Sequence, residues 1–459
     1  SRVSEDSIVG KKEAHEFAAL SLAKTKKVDD LVKWAENRPI WISWKLDGLT
    51  LVVTFDQGKL TKIVTRGNGH MGTNITHLGP AISGIPKSIS EKGHLVVRGE
   101  AVISYADFEQ FIIESEGDYA NPRNLASGSL SLHDVDEVRQ RHIQWIPFTL
   151  VYTEREITSW GKRMQMLEEL GMHPVDRERI EHPTTENIQA EIDKFTEKVT
   201  NKSNPFPVDG LVICYDDTIY ASTGSVTGHH ATRAGFAFKW QDEHADTELD
   251  HIEWSCAANT ITPVAVFKPV ELEGTTVQRA SLCNVSECER LGIGGKGTKL
   301  QIIKANKIIP KIIKITEPIG VFEIPQECPV CHDTAVVTES ETGTRTLHCT
   351  NPDCAAKQLK KFTRFVSKDG LDIDGISEQT VWKFVNEGFI NEYADFYKLR
   401  DHAFEIATFD GFGRKSVNNL MDSIEKSRHT DGRHLLYALN IPLCGADVAK
   451  KLIERYPVK

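Results

Sequence analysis

Four cysteines limit what this chain can fold into more than any other part of it. Two residues separate Cys328 from Cys331, four separate Cys349 from Cys354, and 17 lie between the pairs. Two thiolate pairs at that spacing suit a closed tetrahedral zinc site, and four sulfurs with no open position make a structural site, not a catalytic one. His332 and His348 adjoin the quartet and are read as bystanders. The other five cysteines, Cys214, Cys256, Cys283, Cys288 and Cys444, are scattered and odd in number. That usage fits a reducing cytoplasm better than a secreted disulfide scaffold.

With 459 residues, the chain has room for about three domains or several smaller modules. A hydrophobic fraction of 40% and a charged fraction of 26% are ordinary for globular protein. No apolar run approaches the roughly 18 residues of a membrane span, and residues 1–6 lack the apolar centre of a signal peptide. A net charge of −10 excludes a uniformly basic nucleic-acid coat. Local patches and backbone amides can still grip phosphates on an acidic protein.

The pattern along the chain predicts a multidomain α+β protein. Residues 40–240 mix strands and helices, with Asp56-Gln57-Gly58 turning between two β-rich runs. Ser104 and Asp107 cap a helix through Phe108 to Ile113, and Met164 to Leu170 and Ile188 to Val199 read as helices. Short β runs at 262–267 and 299–304, parted by the glycine-rich turn 292–297, predict a small barrel. After residue 358 the pattern is helical, with glycine turns at 411–413 and, more weakly, at 374–377 and 443–446.

An ordered series of charged residues carries the chemistry. Lys45 stands in Lys45-Leu46-Asp47-Gly48, just before a strand-like run. Arg66, Glu100, Asp209 and Lys239 follow in short motifs of their own. Lys45 would be a covalent nucleophile, and an amine attacks phosphorus only when neutral, so a neighbouring cation such as Lys239 would help. Lys239 could also hold a nucleotide phosphate. Glu100 and Asp209 offer the oxygen ligands a hard divalent cation prefers. Arg66, flanked by Gly67 and Gly69, suggests a phosphate-facing loop. Arg123, within the polar segment 121–130, could grip a phosphate with its planar fork, although the segment alone reads as a loop. Gly411, Gly413, Arg414 and Lys415 read as a hairpin entering a helix, a sequence-independent contact for a DNA phosphate.

Taken together, the chain resembles the bacterial NAD-dependent DNA ligases from about residue 19 to its end. The likeness rests on KLDG at 45–48, TRGNG at 65–69, VRGE at 97–100, NPRN at 121–124, DGLV at 209–212 and FAFK at 236–239. Residues 262–282 look like the family's oligonucleotide-binding barrel. The resemblance implies an N-terminal linker (1–39), an adenylylation (nucleotidyltransferase) domain (40–247), an OB-fold (248–322), a four-cysteine zinc finger (323–358) and a partial helix-hairpin-helix domain (359–459). It implies NAD, magnesium or manganese, and zinc as cofactors, nicked duplex DNA as partner, and a cytoplasmic monomer acting in DNA repair and replication. Lys45, Asp47, Glu100, Asp209 and Lys239 become the expected catalytic residues, with Lys45, Arg66, Glu100 and Lys239 contacting the cofactor and Arg123 the DNA.

Several positions depart from the family pattern: Ser43, Ser131, Cys214, the stretch Ala257-Ala258-Asn259 and Cys283 stand where other residues are usual. The family's N-terminal NMN-recognition module and C-terminal BRCT domain are expected to be absent. Two alternatives to a full ligase follow: an impaired nick-binding scaffold, or an enzyme sealing only nicks that already carry AMP.

Overall fold

The computed structural model describes residues 8, 10–114, 119–223, 233–441 and 444–457. They fall into two compact units, the first mainly residues up to 243 and the second mainly residues from 244 onward. No described helix is long and apolar enough to cross a membrane.

Two large sheets and a two-stranded one lie in the first unit. One has five strands in the order Lys24–Thr25, Phe236–Phe238, Val208–Tyr215, Ile40–Leu46 and Arg177–Ile180. Along Ile40–Leu46, the side chains of Ile40, Ile42, Trp44 and Leu46 are all buried. They pack with Ile188, Ile192 and Phe195 of helix Thr185–Thr200 and with Leu31 and Ala35 of helix Val28–Ala35. The Trp44 and Phe195 rings meet edge to face at 4.7 Å. Strand side chains alternate between faces, so this packing turns Ser43 and Lys45 away from the core. A one-residue slip would bury Lys45 in place of Trp44, which pins the register.

The second sheet is antiparallel, with Lys59–Thr65, Leu49–Asp56, Leu95–Val102 and Gln144–Thr153 in that order. The expected turn after Asp56 is present, with Gln57 and Gly58 both at positive φ. Ser104 caps helix Tyr105–Glu114 by accepting the Asp107 N–H, as its spacing predicts. One pairing was not legible in the sequence: Lys12–Ala14 adds a short antiparallel partner to Met71–Thr73.

In the second unit, His244–Ala257, Thr260–Leu272 and Thr275–Ser281 form an antiparallel meander. It encloses Leu249, Phe267, Leu272, Leu282, Leu300 and Ile302. The same sheet continues into the cysteine-bearing hairpin, because Arg345–Cys349 pairs with Thr260–Leu272 and with Ala335–Glu339. Helices Leu359–Val366, Glu378–Asn386, Arg414–Ser427, Gly432–Ala438 and Ala446–Arg455 follow. Phe362, Phe365, Phe384, Phe396 and Leu420 fill the core that includes four of them.

Candidate active site and metal centre

The first unit's chain crosses from one sheet to the other at Asp47-Gly48. A Cβ on Gly48 would fall 2.0 Å from the Ala101 carbonyl oxygen, so no larger residue fits this crossing. The Gly48 N–H donates to Glu100 Oε2 at 3.3 Å. Opposite Lys45, the strand Val208–Tyr215 breaks register between Val208 and Gly210, leaving Asp209 as the extra residue of a bulge. A Cβ on Gly210 would lie 2.1 Å from the Phe238 carbonyl oxygen. The glycines of the two Asp-Gly motifs are thus set by close backbone approach, and each lets an acidic neighbour reach the site.

Asp209 accepts Lys45 Nζ at 2.9 Å through Oδ1 and 3.1 Å through Oδ2. Its Oδ2 also lies 3.4 Å from Lys239 Nζ. The two lysines therefore meet through a shared carboxylate, whereas the sequence suggested that Lys239 would act on Lys45 directly. Lys239 is fixed at the end of its strand by its N–H to the Thr25 carbonyl, 2.8 Å. Glu100 accepts the Thr50 hydroxyl at 2.7 Å. Burial pushes the Glu100 carboxyl up to about 7, against the lowering effects of Thr50, Lys45 and the Gly48 N–H. Burial and then Asp209 also raise Asp47, with Arg123 opposing at 3.4 Å.

Segment 121–130 is not the loop that its polar composition suggested. Pro122–Ser129 is a helix, because Asn121 caps it by accepting the Asn124 N–H at 2.8 Å and Pro122 suits its first turn. Leu125 and Ala126 anchor it, and Arg123 stays half-exposed beside Asp47. The Arg66 loop is tight: Gly67 and Gly69 have positive φ, and Asn68 Oδ1 accepts the N–H groups of His70 and Met71. The Arg66 N–H donates to the Thr50 carbonyl at 3.0 Å, and its guanidinium reaches Ser21 Oγ at 3.3 Å. Thr50 and Ser21 were missed in the sequence. Thr50 faces Glu100 in the strand register, and only that register reveals it.

Two family models match the chain. That of the NAD-dependent DNA ligase adenylation domain covers residues 11–243, half of the chain, and that of the NAD-dependent DNA ligase OB-fold domain covers residues 246–319. The chain belongs to the NAD-dependent DNA ligase family. A DNA ligase of Lachnoclostridium phytofermentans is 41% identical over 452 residues, 97% of this chain and 68% of that protein. A DNA ligase of Ruminiclostridium cellulolyticum is 41% identical over 451 residues, 97% of this chain and 67% of that protein. One from Leptospira biflexa is 33% identical over 455 residues, 96% of this chain and 65% of that protein. The chain spans about two thirds of the length of these DNA ligases.

In this member of the ligase family, the sulfurs of Cys328, Cys331, Cys349 and Cys354 all lie within 4.8 Å of one another. The Cys328–Cys354 and Cys331–Cys349 separations are 3.9 and 3.5 Å. A tetrahedron with zinc–sulfur bonds of about 2.3 Å has edges of about 3.8 Å, so the cluster is compatible with zinc. His332 is exposed and His348 bonds Thr346, both apart from the sulfur group.

The glycine turns enter helices as expected. Gly411 has a φ of +82°, and Gly413 starts helix Arg414–Ser427. Val417, Leu420 and Ile424 point into the core, while Arg414 and Lys415 stand exposed at the open N-terminus. Gly375 and Ser377 lead into Glu378–Asn386, and Gly445 into Ala446–Arg455. Leu443, in the third of these segments, lies outside the described residues.

Proposed function

We propose that the chain seals 3′-hydroxyl/5′-phosphate nicks in duplex DNA, taking AMP from NAD and carrying it on Lys45. The observation that carries this reading is the Lys45 amine held against Asp209, with Glu100, Asp47, Lys239 and Arg123 around it. Asp209 orients the Lys45 ammonium and takes one of its protons, which passes on to solvent, and the lone pair so freed attacks the α-phosphorus of NAD. The P–O bond to nicotinamide mononucleotide breaks as the P–N bond to Lys45 forms. Lys239 and the Arg66 loop would receive the phosphate charge. AMP then passes to the 5′-phosphate at the nick, and the 3′-hydroxyl displaces it to close the strand.

Glu100 and Asp209 fit a magnesium or manganese ion, which would neutralise phosphate charge when bound. Glu100 with a pKa near 7 can hold or release a proton at working pH. Residues 1–39 then serve as linker, 40–247 as adenylylation domain, 248–322 as OB-fold, 323–358 as zinc finger and 359–459 as a partial helix-hairpin-helix region. Its exposed Arg414 and Lys415, at a helix N-terminus after Gly411 and Gly413, suit a backbone phosphate of nicked DNA.

Intact mass of the full chain, before and after incubation with NAD and magnesium, tests the reading. An added AMP that Lys45→Ala removes is the expected result. An adduct that persists in Lys45→Ala overturns the assignment. With no adduct on the parent chain, sealing of a pre-adenylylated nick would restrict the activity to the last step.

A further inference from the structure

Residues 12–19 belong to the segment read as linker, yet the fold lays them against the Arg66 loop. The His15 N–H donates to the His70 carbonyl at 2.8 Å, and the Ala19 N–H to the Gly69 carbonyl at 2.9 Å. The His15 ring donates from Nε2 to the Arg66 carbonyl at 2.9 Å. One short segment thus holds three carbonyls of the loop. The fit is close, because a Cβ on Gly69 would lie 2.8 Å from the Ala19 carbonyl oxygen.

The segment is itself fastened to the antiparallel sheet. Phe17 stacks on Tyr152 at 5.5 Å, and Arg98 Nη2 donates to the Ala18 carbonyl at 2.8 Å. Glu16 Oε2 meets His94 Nε2 at 2.8 Å, while the other ring nitrogen, Nδ1, meets Asp56 Oδ1 at 2.6 Å. A neutral imidazole carries a single N–H, and an ionised carboxylate only accepts. A ring with a carboxylate at each nitrogen is therefore matched only when doubly protonated. The bond to Asp56 raises the His94 pKa most, burial opposes, and Glu16 adds to the rise.

Tyr152 tilts against the His94 ring at 5.4 Å, and Glu154 accepts the His94 N–H at 3.1 Å. The remaining charges nearby are the Glu91–Arg155 pair, Lys92 beside Gly58, and Lys62, paired with Glu13 at 3.7 Å. We propose that residues 12–19 position the Arg66 loop for the NAD phosphates, and that His94, doubly protonated between Asp56 and Glu16, latches them in place. The effect on NAD rests on the reading of the Arg66 loop given above; the latch does not. It is closed below the ordinary histidine pKa of 6.5 and opens as pH rises through the raised one. Losing one proton sets a bare ring nitrogen against a carboxylate. Asp56 is also held by the Thr61 hydroxyl at 3.2 Å, so Glu16 gives way and the segment loosens.

The test uses the full chain and two variants, Glu16→Ala and His94→Phe, the second keeping a ring against Tyr152. Nitrogen-15 NMR of the histidine rings should show a His94 midpoint above 6.5 in the parent, lowered in Glu16→Ala. Hydrogen exchange at pH 6 should quicken about two- to fivefold in both variants over residues 12–19 and 66–71, the scale of a partly exposed ion pair. The parent should approach the variants as pH rises past its midpoint. In AMP transfer to Lys45, both variants should raise KM for NAD by a similar factor and spare kcat, as a loss of holding does. A His94 midpoint at or below 6.5, or unchanged exchange over 66–71 in both variants, overturns the proposal. Quickened exchange with an unchanged KM refutes the positioning role. If His94→Phe does not fold, Glu16→Ala decides alone. A parent chain that transfers no AMP defeats the nick-sealing reading and leaves exchange to decide the latch.

Discussion

The cluster at Lys45 and the cluster of cysteines are both small groups of converging side chains, yet they are assembled in opposite ways. The four cysteines lie within residues 328–354, and a hairpin of local pairs closes them together. The charged cluster draws on positions from 45 to 239 and depends on two sheets, a bulge at Asp209 and a crossing at Gly48. The cysteine cluster needs mainly its own hairpin, which joins the barrel sheet through Thr260 and Ile261. The charged cluster exists only when a whole domain is in register.

The largest effect should come from stripping zinc. Structural zinc sites are worth on the order of 10 kcal/mol to their module, so chelation should unfold residues 325–358 and weaken nick binding. Circular dichroism and exchange should show the first unit intact, with AMP transfer to Lys45 preserved. Loss of AMP transfer with the zinc would break the contrast between the clusters.

Asp209→Asn should act in the reverse sense. Removing the charge that orients Lys45 and faces Lys239 should cost about 10²–10³-fold in the rate of AMP transfer, the scale of a lost preorganised electrostatic contact. Zinc content should not change. A variant that transfers AMP at the parent's rate would detach Asp209 from the chemistry.

Next is the pH dependence set by Glu100. Burial raises its folded pKa from the ordinary 4.5 to about 7. Below about pH 4.5 the group is protonated in both states and costs nothing. As pH rises from there to about 7, the unfolded chain ionises first and stability falls, by at most about 3 kcal/mol and less where water reaches the group. Glu100→Gln should therefore melt several degrees above the parent at pH 8 and level with it at pH 4. Equal melting at both pH values would mean the carboxyl titrates normally.

The smallest effect belongs to Arg414 and Lys415. Replacing each by Ala should weaken DNA binding by about tenfold or less and lower the salt slope by about one per lost phosphate contact. Salt slopes measured by anisotropy decide this. Unaltered slopes would leave that helix end without a DNA role.

Legibility followed the same divide. The cysteine spacing described its own geometry, because sulfur ligands a few residues apart need little else. Lys45, Glu100, Asp209 and Lys239 were found because each sits in a motif, but their arrangement was not legible. That Asp209 lies between the two lysines depends on a register break the sequence does not mark. Thr50 is an ordinary strand residue until its pairing with Glu100 is known. Segment 121–130 looked too polar for a helix because its composition hid the Asn121 cap. The link between barrel and metal loop is long-range, so the cysteine spacing did not show it.

The crossing at Asp47-Gly48 has a mechanical consequence. Joined by so short a span, with Gly48 also bonded to Glu100 and with Val102, Ile146 and Phe148 of the second sheet packed into the first sheet's core, the two sheets are held together at that seam. Lys45 and Glu100 flank it, so the spacing of the nucleophile and its acidic neighbour is set by one short stretch of backbone and not by a flexible loop.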